Sequence, residues 1–565
     1  MEKLQFLLQQ TLLSLSMAFT NKKAAEASIE DNYAAQGDSP QVSTKNGLHR
    51  SLSNRQVQLI CIGGAIGTSL FIRIGNGLAF GGPASLLIAY IMYSSVLALI
   101  SNCLAEMTVA YPVSGGFIRQ AGHWVDDALG FMAGWNYFLY EALLIPVEVT
   151  AICLVLSFWN EHSKDSGPTA AICIACTVTF VLLNTVGVKV FGEAEFWLSS
   201  GKVILILSLL MFTFITMVGG NPTGDAYGFR YWNEPGAFAA YLSTGSIGRF
   251  EGFLACLWNA SFAVVGPEYI SIVAAEVYRP RRSLKSAFKT VYARFGLFFI
   301  GTALSVGIVI PYNNSTLQAI AAGELSSSSA AATPWVIAME NLGIRIFPHI
   351  VNLLLFTCLF SAGNTYTFCA IRNLYSLALE GRAHRIFAKT TRNGTPIYAC
   401  MVVTIFPLLS LMQVGSTSAE VLNWLVSLIT AGGVVNYIVI TTTYICFYRA
   451  CLVQGVKRSE LPYFAWYQPW CAYIGLAWML FIIFFYGYSS FRPWDVGIFF
   501  QHYTMVILDP ILFIVWKLLK RTKWLKPHEV DLVWEKPEID EYEAELPPYT
   551  GGTWNSLLRF CRLRN

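Results

Sequence analysis

Two stretches of this chain combine residue types that can expose backbone polar groups where a helix would otherwise use them internally. Gly63-Gly64-Ala65-Ile66-Gly67-Thr68-Ser69 and Phe262-Ala263-Val264-Val265-Gly266-Pro267-Glu268 each place glycine, or glycine followed by proline, inside an apolar run. Glycine lowers the cost of leaving helical geometry, and proline removes a backbone hydrogen bond. A helix opened there offers N–H groups at the start of its second half and C=O groups at the end of its first half. The former suit a carboxylate and the latter an ammonium. Glycine clusters also serve close helix packing in membranes; two clusters in matching positions point instead to a site.

Ionisable residues recur inside the apolar runs. Lys202, Glu141, Glu148 and Glu268 all lie in stretches made otherwise of apolar and small residues. Each such charge costs at least about 2.5–3.5 kcal/mol on insertion scales at mid-helix, so it normally faces a cavity or a partner. Glu268, directly after Pro267, can meet an ammonium, take part in proton movement, or satisfy the positive end of the half-helix it begins. Glu141 and Glu148 are seven residues apart, hence on one helical face, with Pro146 between them. They can partner Lys202, line a pocket or form a structural polar network. Glu106 ends its run toward basic loops and is expected to pair with them. No nucleophile triad, metal spacing or phosphate loop is present. Cys173 and Cys176 stand alone in an apolar run, and Gly75-Asn76-Gly77 lacks the strand and third glycine of a dinucleotide fingerprint.

The elements that must position these residues belong in a bilayer. Of 565 residues, 13% are charged and 55% fall in the apolar set AVILMFWYC, with 44 glycines besides. Such a composition excludes a disordered, collagen-like or nucleic-acid-coating chain. A membrane helix needs about 20 mostly apolar residues. Runs of that kind lie near 55–75, 83–105, 129–158, 169–187, 196–218, 248–275, 288–311, 347–378, 397–415, 419–447, 470–490 and 499–519. The expected fold class is all-α integral membrane with about twelve transmembrane helices; the runs are too long and too continuous for barrel strands. Lys and Arg concentrate in alternate loops, with Arg279, Arg281, Arg282, Lys285 and Lys289 after the sixth run and Arg382, Arg385, Lys389 and Arg392 after the eighth. This bias places both tails in the cytoplasm. The apolar start from Met1 to Phe19 reads as a peripheral amphipathic segment, or as lying ahead of a start at Met17, rather than as a signal peptide. Residues 20–54 read as disordered. The two glycine-bearing breaks head two five-helix halves, starting near 55 and 248, which is the pattern of a solute site in membrane carriers. Broken helices are tolerated in a bilayer only where they line a cavity or are buried in protein.

HRSLSNRQVQLICIGGAIGTSLF from His49, the run from Gly82-Pro83 to Ala105-Glu106 and on to Pro112, GEAEFWLSSGKVILI and SFAVVGPEYISIVAAEVYRPRRSL form a specific set. Over about residues 47–535 the chain resembles the fungal (yeast-type) amino-acid permeases of the amino acid–polyamine–organocation superfamily. GFRYW at Gly228–Trp232, SAGNTY at Ser361–Tyr366 and TRNGTPIY at Thr391–Tyr398 are similar to the dicarboxylic amino-acid permease branch. Ser69 departs from the glycine that the family often has in the first break.

The resemblance implies a leucine-transporter-type 5+5 inverted repeat, about 55–218 and 248–447, plus two peripheral helices at about 470–519. Cytosolic tails, 1–54 and 521–565, would flank it. It implies a secondary active transporter importing amino acids by proton symport across the plasma membrane, with acidic amino acids as the branch's class. Amino acid, protons and lipid bilayer are then the partners, with no cofactor, metal or nucleic acid. The substrate's α-carboxylate would lie on the N–H groups of Gly63, Gly64, Ala65, Ile66, Gly67 and Thr68. Its α-ammonium would meet carbonyls around Phe262, Ala263 and Val264, with Phe262 as a lid and Glu268 alongside. Lys202 would stand where an ammonium replaces a bound sodium ion near the first and eighth helices and would couple protons, with Glu268 and Glu141 as further proton-coupling candidates. A permanently charged structural lysine is the other reading of Lys202. The acidic stretch ending in Leu546-Pro547-Pro548-Tyr549 reads as a solvated tail or as a docking motif for a ubiquitin ligase or adaptor. An amino-acid sensor of the same fold, signalling through its tails, is the alternative function.

Overall fold

The first span starts at Asn54, where the Gln56 side chain accepts from the Ser53 N–H at 3.0 Å, and runs to Ala65. There the chain leaves helical geometry: Ile66 is extended, with φ −123° and ψ 108°. Helix resumes as a widened turn, Ser69–Arg73, that continues into Ile74–Ala110. Within that long stretch Gly82, at φ +78°, precedes Pro83 and separates the first span from the second. A Cβ at Gly82 would press on Ala239 N at 2.8 Å and Ala237 O at 2.9 Å, so only glycine fits the corner. The sixth span repeats the pattern. Gly245–Ala263 ends, Val264 is extended, and Pro267–Ile272 resumes with proline at a position whose missing N–H costs nothing.

In this computed structural model the described residues are 50–546 apart from 51, 161, 163–164, 187, 323–332, 392–393, 415–417, 486 and 492–493. The amino-terminal tail and the Pro547-Pro548-Tyr549 part of the tail motif lie outside them. Among the described residues the secondary structure is helical, with two isolated bridges of extended chain. Ten helices are long and apolar enough to cross a membrane: Ser69–Ala110, Asp127–Leu156, Ser166–Val186, Val190–Met217, Gly245–Ile272, Pro280–Val309, Phe347–Leu379, Ile397–Val414, Asn423–Val453 and Val496–Lys520. The first run falls outside this set because its break shortens it, and the eleventh because Trp470–Phe485 is 16 residues long. The ninth span tightens into a narrower helix, Phe406–Val414, around Pro407. Because five spans precede the sixth, the second broken helix enters the bundle from the end opposite to the first. That reversal is the inverted repeat of the fold class.

At one end of the bundle the loops and the segment after the last span bond to one another. Glu106, as expected, pairs with a basic loop: Arg458 reaches it at 2.6 and 2.7 Å, and Ala465 N–H adds a bond at 2.9 Å. The acidic segment after the last span is not a free solvated tail. Leu525 N–H donates to Val125 O at 2.9 Å, Tyr111 OH to Leu532 O at 2.7 Å, and Tyr542 OH to Tyr278 O at 2.8 Å. Its acids face loop arginines, Glu535 with Arg119 at 2.6 Å and Asp540 with Arg281, and Ile539 is buried. Opposite charge and buried apolar side chains order a segment whose composition alone reads as solvated.

Candidate functional site

The two breaks touch. A Cβ on Gly266 would lie 3.0 Å from the Ala65 Cβ and 3.9 Å from Cys61 O, and Gly266 sits at φ +134°, where side chains are rarely accommodated. Gly63 to Thr68 and Phe262 to Glu268 are all buried.

Side chains from three other spans hold the first break. Lys202, fully buried on the fifth span, donates from Nζ to Gly63 O at 2.6 Å and to Ile66 O at 2.8 Å. These carbonyls lack helical partners because the chain unwinds after Ala65. Tyr366 OH, from the eighth span, donates to Gly64 O at 3.0 Å. Glu148, from the third, accepts the Thr68 N–H at 3.1 Å and the Thr68 hydroxyl at 2.8 Å. Gly67 permits that approach, since a Cβ there would collide with Glu148 Oε1. Thr68's amide, one of those expected to meet a ligand's carboxylate, thus carries the protein's own carboxylate here.

The second break frees carbonyls for a simple reason. The Gly266 N–H, which would bond Phe262 O in a continuous helix, donates instead to the two Glu268 oxygens at 3.1 and 3.3 Å. Pro267, which would serve Ala263 O, has no N–H. Glu268 thereby caps its own half-helix, and Tyr437 OH of the tenth span fixes it at 2.8 Å. Glu141 is fully buried, and neither of its oxygens has a hydrogen-bond partner among the described residues. Tyr269 lies beside it and also packs on Gly64, where a Cβ would meet the ring at 2.7 Å. Lys202 is therefore at the first break, Glu268 at the second, and Glu141 adjoins both through Tyr269.

Two further groups carry little signal in the sequence. Glu195 stands seven residues before Lys202, on the same helical face, and that spacing is its only mark. It accepts from Ser199 Oγ at 2.6 Å and from Ser361 of the eighth span, and a Cβ on Gly63 would strike it. Arg294, on the seventh span, follows the basic run 279–289 and reads as its continuation, yet it is buried beside the breaks. Among the described residues no group of His, Cys, Asp and Glu is arranged to hold a metal ion. What the arrangement offers is freed carbonyls at the second break beside an unwound turn whose Ile66 amide bonds Ile62 O and whose Thr68 amide bonds Glu148, so that of the six amides expected to meet a carboxylate only that of Gly67 lies in the turn without such a bond.

Known sequences place the chain among amino acid permeases. Residues 56–529 match the family described as Amino acid permease. The chain is 44% identical over 506 residues to the general amino acid permease AGP2 of Saccharomyces cerevisiae, covering 88% of this chain and 84% of that one. It is 37% identical over 525 residues to the dicarboxylic amino acid permease of the same yeast, covering 92% and 84%. A proline-specific permease of Emericella nidulans is 34% identical over 544 residues, 95% of each chain.

Proposed function

The chain belongs to the amino acid permease family, and from that membership and the geometry of its two breaks we propose that it imports amino acids across the plasma membrane together with protons. It is a membrane carrier, not an enzyme. One observation carries the coupling: Lys202 Nζ, at 2.6 and 2.8 Å from two carbonyls of the unwound turn. Hydrogen bonds from a charged group are each worth about 1.5–3 kcal/mol. A protonated Lys202 therefore holds the turn in shape, and losing the proton loosens it. Substrate would place its ammonium on the freed carbonyls of Phe262 and Ala263, and its carboxylate on the amides beside Gly67 and the positive end of the following half-helix. Binding is strongest while Lys202 is charged, and release follows when its proton departs. Glu268 would meet the ammonium or take a proton, and Glu141 would be a further proton-coupling carboxylate.

Acidic amino acids are the substrate class supported by the dicarboxylic relative and by the matching motifs at Gly228–Trp232 and Ser361–Tyr366. The end of the bundle where the loops meet the segment after the last span would face the cytosol, as the excess of Lys and Arg in those loops suggests. The tail motif Leu546-Pro547-Pro548-Tyr549 would offer a ubiquitin ligase or adaptor a short docking segment.

Reconstitution tests the coupling. In proteoliposomes with an inside-alkaline pH gradient, labelled amino acids should accumulate, and a protonophore should abolish accumulation. Lys202→Met should lose accumulation and bind substrate more weakly than wild type. Uptake indifferent to the gradient would contradict proton symport; no uptake of any of the common amino acids would contradict the carrier itself.

A further inference from the structure

Among the described residues three arginines are buried: Arg294, Arg372 and Arg382. Two of them have acids, Arg372 with Glu276 at 3.0 Å and Arg382 with Asp127 at 2.8 Å. Arg294 has none among the described residues. Its Nη2 donates to Ala287 O at 3.2 Å, the neutral Cys61 thiol lies against the guanidinium, and Nε is buried without a partner. It ends the helix Pro280–Arg294, where the seventh span widens into a π turn, Phe295–Ile300, a deformation often found at functional sites. The same side chain lines a narrow crevice with Ala65 and Ile66 of the first break and Val265 and Gly266 of the second. The crevice has room for no more than about one water.

A guanidinium has five N–H donors and keeps its charge, so a buried one without an acid is costly unless an anion reaches it. On the proposed reading the α-carboxylate of a substrate goes to the positive end of the half-helix after Thr68, where it competes with Glu148 for the Thr68 amide. An anion left over for Arg294 is one that only some substrates bring. We propose that Arg294 recognises the side-chain carboxylate of an acidic amino acid held at the two breaks, and so sets acidic amino acids as a substrate class of this carrier. The proposal rests on the reading that the breaks hold an amino acid. A planar guanidinium matches a carboxylate with paired hydrogen bonds, whereas a side-chain amide of the same shape satisfies it poorly.

The test compares isosteres. Full-length wild type, Arg294→Gln and Arg294→Lys are reconstituted, and initial rates are measured for aspartate, glutamate, asparagine and glutamine. Wild type should prefer the acids. Arg294→Gln should lose about 10–100-fold in kcat/KM for aspartate while asparagine changes less than about threefold, with Arg294→Lys between. Equal losses for aspartate and asparagine would overturn the proposal, because they would make Arg294 a support of the fold or a partner of the shared α-carboxylate. If the variants do not fold, competition on the wild type decides. Aspartate must displace a labelled substrate better than asparagine, and the lack of that preference overturns the role of Arg294 while leaving amino-acid carriage standing. Absence of all uptake would instead count against the carrier.

Discussion

A lysine ammonium and a glutamate carboxylate divide the unwound turn of the first helix between them. Lys202 takes its carbonyls at Gly63 and Ile66, and Glu148 takes the amide and hydroxyl of Thr68. The turn thus has its polar groups satisfied before a substrate arrives, and a substrate's carboxylate competes with one of them. Glu148→Gln keeps the shape and can still accept the Thr68 N–H and donate to its hydroxyl, but it removes the charge that strengthens both bonds. At about 1–2 kcal/mol for such a loss, initial transport rates should fall about tenfold at unchanged surface expression. Gly67→Ala drives a methyl into Glu148 and lies within 3.1 Å of the Ala362 Cβ; a loss of transport larger than that of Glu148→Gln is expected from the same assay. The glycines of both breaks and Lys202 were legible in the sequence because their effect is local or their cost is obvious. The partner of Thr68, 80 residues away, was not, since spacing along a helix shows which side chains share a face but not what that face meets.

Helices and their ends carry the next level of organisation. Proline and glycine announce the breaks at Gly266-Pro267, the corner at Gly82-Pro83 and the narrowing at Pro407, since each acts on its own backbone. The bonds that lock one element to another join residues far apart in sequence: for Glu106 the sequence shows that basic loops are near but not that Arg458 is the partner, and for Glu195 with Ser361 no local pattern predicts the pair. Asp126 shows how a helix end can report on the joint. It caps the third span through Ala128 N–H at 2.9 Å and binds Lys517 and Thr522 at the end of the twelfth. Burial alone would raise its carboxyl, but the Lys517 ammonium, the Thr522 hydroxyl and the Ala128 N–H outweigh that and hold it below the usual carboxylate range. A carboxylate whose folded value lies below its unfolded value stabilises the fold above about pH 4, and that stabilisation fades as pH falls through the folded value. Melting of the detergent-solubilised protein should therefore drop steeply below about pH 4. In Asp126→Asn it should start lower at pH 6 and show a flatter acid limb; parallel curves for the two proteins would contradict the assignment.

At the scale of the whole molecule, the carboxy-terminal segment joins parts that a carrier must separate. Arg50 stacks on Tyr542 at 5.1 Å, Arg119 is shared between Glu380 and Glu535 at 2.6 Å each, and Gln454 holds Pro527 O at 2.9 Å and Val530 O at 2.7 Å. Trp534 centres the patch, stacked on His123 at 4.3 Å and edge-on to Trp124 at 5.9 Å, with the Arg119 guanidinium 5.1 Å from its ring. The loops gathered there follow the second, eighth and tenth spans, together with the lead-in to the first. On the import cycle proposed above, opening this end to release a solute would spread those loops, and the segment would lift or stretch with them. Trp534→Ala removes several aromatic contacts worth about 0.5–1.5 kcal/mol each and weakens the clasp without touching the site between the breaks. The expected outcome is a lower melting temperature, faster proteolysis between residues 523 and 546, and faster substrate exchange across liposomes, with selectivity among amino acids unchanged. Unchanged exchange alongside faster proteolysis would show that the segment moves aside freely and takes no part in opening.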